Sequence, residues 1–162
     1  LKVKKYSFLT RGSDERQYNA PGIDLPIASI MRSKYGTYRE YHTSKDDFKF
    51  VTIKGLRGGY KVLKKAIQIL LKKNLPIPKK RKIIETYPTN LIICEPQMSK
   101  KKLYPSLGVK NARSQKVKDI MNFLQYADGT NSLLQISKLI KTDLKNCKTL
   151  YGLLKKKLIV KW

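Results

Sequence analysis

Histidine occurs once in these 162 residues, at position 42, and cysteine only twice. A structural zinc site needs four closely spaced thiol or imidazole ligands, so a self-contained metal finger is excluded. The two thiols, Cys94 and Cys147, lie far apart and match no CxxC pattern. Cys94 closes an apolar run (Leu91-Ile92-Ile93-Cys94) and Cys147 sits in a helical pattern, as ordinary small residues do in a reducing cytoplasm. No apolar run approaches the ~18–20 residues that span a bilayer, so neither a transmembrane helix nor a membrane partner is expected. The chain opens on leucine with no charged-then-apolar leader, so residue 1 reads as a cut in a longer polypeptide. Negative charge is scarce as well: 11 acidic residues face 36 basic ones.

What is present has a globular balance. Hydrophobic residues make up 41% and charged residues 29%, too apolar a mixture for a disordered chain. This length holds one ordinary domain or two small ones, and folding hides roughly 68–70% of the unfolded surface. The net charge of +25 points toward polyanions. Its make-up weakens that reading, because only seven of the 36 basic residues are arginine. Arginine's planar fork reads phosphates and base edges, whereas lysine is a solvated point charge. The lysines also lie scattered through 79–82, 100–102 and 155–157 and singly between, as a lysine-rich genomic background would leave them. Nucleic acid is a partner that the composition allows and does not favour.

Residues 2–9 read as a strand, with Val3, Tyr6 and Phe8 among lysines. Arg11-Gly12-Ser13-Asp14 breaks it into a loop. Pro21-Gly22 and Pro26 lead to Ile27-Ala28-Ser29-Ile30-Met31, a second, buried strand, and Tyr35-Gly36-Thr37-Tyr38 to a turn. Over 53–73 the clearest periodicity appears: Ile53, Leu56, Tyr60, Leu63, Ile67, Leu70 and Leu71 recur at three- and four-residue steps on one helical face. Gly55, Gly58 and Gly59 each weaken the first turns by ~1 kcal/mol against alanine, which moves the expected start toward Tyr60. Asn74-Leu75-Pro76-Ile77-Pro78 ends that helix. A connecting stretch over 75–108 holds Pro76, Pro78, Pro88, Pro96 and Pro105 and one short strand over 91–94.

Beyond Ser114 three short helices are expected. The first carries Val117, Ile120, Met121, Leu124 and Tyr126, and Asp128-Gly129-Thr130-Asn131 turns the chain. Ser132 caps a second helix with Leu133, Ile136, Leu139 and Ile140. Thr142 or Asp143 caps a third with Leu144, Cys147, Leu150, Leu153 and Leu154. Leu158-Ile159-Val160 closes as a strand. Three helices and a strand make the plan of a winged-helix domain over 109–162. Lys145 and Lys148 on its third helix are the candidate nucleic-acid contacts, but that helix offers little besides Asn146 for bidentate base reading. The end at Trp162 leaves no room for a two-stranded wing after it, so packing or partner binding is the favoured use of the module.

His42 stands between Glu40-Tyr41 and Thr43-Ser44-Lys45-Asp46-Asp47. Metal-bound imidazoles give their second N–H to a carboxylate or carbonyl, and a hydroxyl and an aspartate close by organise such a loop. Arg11-Gly12-Ser13-Asp14-Glu15, Pro21-Gly22-Ile23-Asp24-Leu25-Pro26 and Glu40-Tyr41-His42-Thr43-Ser44-Lys45-Asp46 together resemble the closing part of the co-catalytic zinc aminopeptidases, whose superfamily includes glutaminyl cyclases. More closely, the Gly-Ser-Asp-Glu-Arg-Gln-Tyr at 12–18, Glu-Pro-Gln at 95–97 and Leu-Tyr-Pro at 103–105 resemble a bacterial aminopeptidase-like group that ends in a winged helix.

The resemblance implies a partial α/β sheet domain over 1–74, followed by the mainly-α winged helix. It implies that His42 is the final zinc ligand, that Asp46 supports its loop, and that Asp14, Glu15, Tyr41 and Thr43 shape the pocket. Glu15 stands where many superfamily members have histidine. Two zinc ions, a peptide or aminoacyl-type substrate and metal-assisted hydrolysis are likewise implied, with zinc lowering its water's pKa toward ~7 and a glutamate as general base. A zinc site takes three or four protein ligands. The others lie upstream in that family, so this chain alone is expected to bind zinc weakly and to hydrolyse nothing.

Overall fold

A computed structural model of the chain describes residues 3–73, 82–91, 100–103, 110–157 and 159–161. They belong to two compact units, Leu1–Ile27 with Lys80–Trp162, and Ala28–Lys79. These units do not coincide with the division into 1–74, 75–108 and 109–162 that the sequence suggests.

The first unit is built on three helices whose starts are written into the side chains. Helix α3 runs Lys110–Tyr126, α4 Leu133–Leu139 and α5 Leu144–Lys156. Ser132 Oγ accepts the Gln135 amide (3.3 Å) while Gln135 Oε1 accepts the Ser132 amide (2.7 Å), a reciprocal cap for α4. Of the two candidates ahead of α5 it is Asp143 that caps, its Oδ1 accepting the Asn146 amide at 2.6 Å. Between α3 and α4, Asp128 Oδ1 accepts from the Thr130 amide and from Asn131 Nδ2. That closes a turn in which Gly129 takes φ +78°.

Ile120, Phe123 and Leu124 of α3, Ile136 of α4 and Cys147, Leu150 and Leu154 of α5 meet in one buried cluster, joined by Ile159 and Val160. Burying each large aliphatic or aromatic side chain stabilises by roughly 1.5–3 kcal/mol, and this cluster is the centre of the unit. Phe123 and Tyr151 belong to it although the helical patterns read from the sequence omit both, while Leu139 of the expected face is exposed.

A two-stranded antiparallel sheet completes the winged helix: β1 is Thr89–Asn90, β2 is Val160–Lys161, and Asn90 stands opposite Val160. The sheet takes its first strand from ahead of the helices. The strand expected at 158–160 is thus displaced toward the C-terminus, with Leu158 outside the described residues. The strand expected over 91–94 lies outside them beyond Leu91, whose amide donates to the Ile159 carbonyl at 2.8 Å. The Ile84 and Asn90 amides donate to the carbonyls of Gly129 and Ala127, and buried Pro88 accepts from the Gly129 amide. Residues 84–91, read from the sequence as connecting chain, are therefore part of this fold.

The N-terminal segment corrects two expectations. Residues 3–7 form no strand: among the described residues no neighbouring strand supplies the ladder, and Ser7 Oγ instead caps a single 3-10 turn at Phe8–Thr10. The expected loop at 11–14 becomes helix α1, Ser13–Tyr18, because Glu15 Oε1 accepts the Gly12 amide at 3.2 Å and so satisfies one of the helix's orphan donors. Among the described residues there is no α/β sheet.

In the second unit, residues 28–31 likewise have no partner strand among the described residues, and Ile30 and Met31 are exposed where a buried strand was expected. The turn expected at 35–38 forms one residue earlier, with the Thr37 amide donating to the Lys34 carbonyl and Gly36 at φ +69°. Helix α2 spans Ile53–Lys72 and begins a full two turns before Tyr60, capped by Thr52 Oγ1 on the Gly55 amide. The glycines that weaken this start also give room beside it. Arg32 Nη1 donates to the Gly55 carbonyl at 3.2 Å and would meet a Cβ on Gly58 at 3.1 Å. None of the residues of α2 is buried, and the apolar stripe from Ile53 to Leu71 is exposed along its length.

Candidate functional site

Tyrosines at 35, 38 and 41 recur every third residue without helical structure, and their rings meet. Tyr38 stacks on Phe50 (centroids 5.4 Å apart) and meets Tyr41 edge-on at 5.6 Å. Tyr41 in turn lies 4.2 Å from the imidazole of His42, the planes tilted by 44°. Such ring pairs contribute about 0.5–1.5 kcal/mol each beyond area burial. This aromatic cluster around His42 went unread in the sequence; the three-residue spacing of tyrosines was the signal.

The backbone at His42 takes φ +57°, a left-handed conformation that costs a non-glycine residue about 1–2 kcal/mol. The residues after it hold that conformation in place. The Thr43 amide and hydroxyl both donate to the Glu40 carbonyl, at 3.1 and 2.8 Å, and Thr43 Oγ1 accepts the Lys45 amide. Asp46 contributes through its amide, which donates to the Thr43 carbonyl. The carboxylate that organises the following turn is Asp47, whose Oδ1 accepts the amides of Lys49 (2.8 Å) and Phe50 (3.4 Å). The outcome is an exposed imidazole, flanked by tyrosine and carried on a turn that is stitched on its C-terminal side.

Asp14 and Glu15 belong to the other unit, in the first turn of α1. Asp14 is exposed, whereas Glu15 is 7% exposed and occupied with the Gly12 amide, so this carboxylate serves the helix start. Lys145 and Lys148 lie one turn apart on the exposed side of α5, lining a shallow cleft with Leu144 and Thr149. The polar side chains beside them are engaged: Thr149 Oγ1 donates to the Lys145 carbonyl and Asn146 Nδ2 to Thr142 Oγ1. That leaves this face with cations and little else for recognising a base edge.

Zinc is the metal that the resemblance implies, and the described residues do not by themselves fit it. His42 is the only imidazole in the sequence. Among the described residues, no three His, Cys, Asp or Glu side chains converge on a point that could hold a metal ion. A three- or four-ligand site would need donors from elsewhere.

Comparison with known proteins divides the chain along the sequence and not along these compact units. Residues 1–74 match the family described as a domain of unknown function (DUF4910), and residues 85–161 match the winged helix-turn-helix family. Over 130 residues the chain is 35% identical to a Clostridium acetobutylicum protein named as a polysaccharide biosynthesis protein with aminopeptidase-like domain. That match covers 80% of this chain and 27% of the relative, so the chain spans about a quarter of the relative's length. No solved structure gives a significant match.

Proposed function

We propose that this chain is the C-terminal part of a zinc-dependent, aminopeptidase-like hydrolase, in which residues 1–74 contribute to the catalytic domain and the winged helix is a packing module. The observation that carries this reading is the pose of His42. A strained left-handed backbone, an exposed ring and a turn organised by Thr43 and Asp47 are what a residue held for function looks like, since such strain persists only where its surroundings enforce it. The name of the relative supports the same class. It also mentions polysaccharide biosynthesis, and the reading for this chain keeps the aminopeptidase-like half of that name because the motifs at 12–18, 21–26 and 40–46 carry it.

His42 supplies one ligand of a site whose other donors come from further residues of the same polypeptide. Tyr41, Thr43 and Asp46 lie beside that ligand, and Asp14 and Glu15, in the first turn of α1, are the acidic residues that the resemblance assigns to the pocket. The substrate is a peptide or aminoacyl compound, and this chain alone is inactive. The exposed stripe of α2 fits the same picture: its apolar side chains are the surface on which the remainder of the α/β domain would pack. The test is turnover of aminoacyl-p-nitroanilides by the longer polypeptide. His42→Ala is expected to abolish it, and the 162-residue chain is expected to show none; turnover that survives His42→Ala removes the reading.

A further inference from the structure

Helix α3 grips both ends of α1. Arg11, immediately before α1, lies against the Phe8 ring at 4.6 Å and sends Nη1 to Asn122 Oδ1 (2.7 Å) and Nη2 to the Met121 carbonyl (3.1 Å). Asn19, the residue that caps the other end of α1, accepts at its carbonyl from Gln125 Nε2. Asn122 and Gln125 are one helical turn apart, so a single face of α3 reaches both anchors. The six helical residues of α1, which lie between the anchors, span only about 9 Å. Leu9 packs on the core cluster of the winged helix, and Ala20 is almost fully buried. Asn19 Nδ2 then ties the segment to itself through the Glu15 and Ile27 carbonyls.

A charge-assisted hydrogen bond to guanidinium is about twice as strong as a neutral one, and this one is part-buried. A six-residue helix has no stability of its own in water. The place of Asp14 and Glu15 is therefore set by α3. We propose that the winged helix is a brace for α1 and its Gly-Ser-Asp-Glu start, with Asn122 and Gln125 as positioning residues for that segment. This rests on the reading of the segment as part of an aminopeptidase-like pocket, and it gives the C-terminal module a task in catalysis that requires no nucleic acid.

Hydrogen exchange on the 162-residue chain tests the brace without any enzyme assay. Replacing both side chains by apolar ones of similar size (Asn122→Leu with Gln125→Met) is expected to speed exchange of the amides of residues 17–20 about ten-fold or more. Amides of α4 and α5 should keep their rates. Asn122→Asp, which retains the acceptor for Arg11, should stay within about two-fold of the parent chain. Unchanged rates at 17–20 in the double variant overturn the proposal, and so does an equal acceleration across α4 and α5. Should the double variant not fold, Gln125→Glu, which deletes the Nε2 donor at constant size, is read by the same criterion. In the longer polypeptide the double variant should raise KM with zinc content unchanged. A parent polypeptide with no turnover at all removes the aminopeptidase reading and leaves the brace to the exchange result.

Discussion

At Gly129 the chain turns with φ +78°, and a Cβ placed there would come within 2.9 Å of both Ile83 Cγ2 and Thr89 Oγ1. Gly129→Ala therefore combines a left-handed penalty with overpacking against the strand that leads into the sheet. It should destabilise by about 2 kcal/mol or more, measured as a lower thermal midpoint. Cys147 makes a different prediction. Burial, reinforced by the Asp143 carboxylate, pushes its thiol up from 9.0 to about 11, and its Sγ lies against the Leu133 carbonyl at 3.4 Å. The unfolded thiol ionises near pH 9 while the folded one holds its proton, so this group's contribution to stability is intact below pH 9 and declines as pH rises toward 11. The decline should come to about 2 kcal/mol by pH 10.5 and to no more than about 3 kcal/mol in all. Unfolding curves at pH 8 and pH 10.5 should show it in the parent chain, and Cys147→Ala should lack that component.

At the scale of elements, the Ser132 cap of α4 could be read directly, and that of α5 to within the pair Thr142 and Asp143, because a short oxygen-bearing side chain just ahead of a helical pattern has few other uses. Ser132→Ala or Asp143→Ala should each cost about 1 kcal/mol in chemical denaturation. The core faces of α3 to α5 were legible for the same local reason, a period that the helix itself imposes. The strands were not. Val3, Tyr6 and Phe8, or Ile27 and Ile30, alternate or cluster as strand residues do, but a strand needs a neighbour, and sequence pattern says nothing about whether one is within reach. The short sheet that does form joins Thr89–Asn90 to Val160–Lys161, a pairing across the whole helical module that no local signal announces. Around His42 the hydroxyl of Thr43 was legible, whereas the ring contacts of Tyr38, Tyr41 and Phe50 depend on how the 34–50 turns fold back. Helix α2 was read correctly as amphipathic and placed two turns too late, because Thr52 and Arg32 support its glycine-rich start. Its apolar stripe gives a further prediction. Leu63→Lys should change the stability of this chain by less than about 0.5 kcal/mol, since the side chain is half exposed. In the longer polypeptide the same change should cost roughly 2–5 kcal/mol if α2 is buried there. Denaturant titrations of both forms compare the two.

On the scale of the whole molecule, two compact units carry one sequence signature. The unit that holds His42 has an imidazole and, among the described residues, no converging ligands. The unit that holds Asp14 and Glu15 is organised by a winged helix whose basic α5 face has little to read a base with. The lysine-rich surface gives charge without the arginine forks of phosphate recognition, so binding to duplex DNA should be weak. Whatever binding occurs should fall steeply with salt, as counterion release requires. The central claim is that His42 is one ligand of a zinc site completed by the rest of a longer polypeptide. Zinc stoichiometry, measured by elemental analysis after exhaustive dialysis, tests it most directly. The account predicts tightly held zinc in the longer polypeptide, a loss of zinc with His42→Ala, and no stoichiometric zinc in the 162-residue chain. Tight zinc in that chain, or full zinc retention by the His42→Ala variant of the longer one, would contradict it.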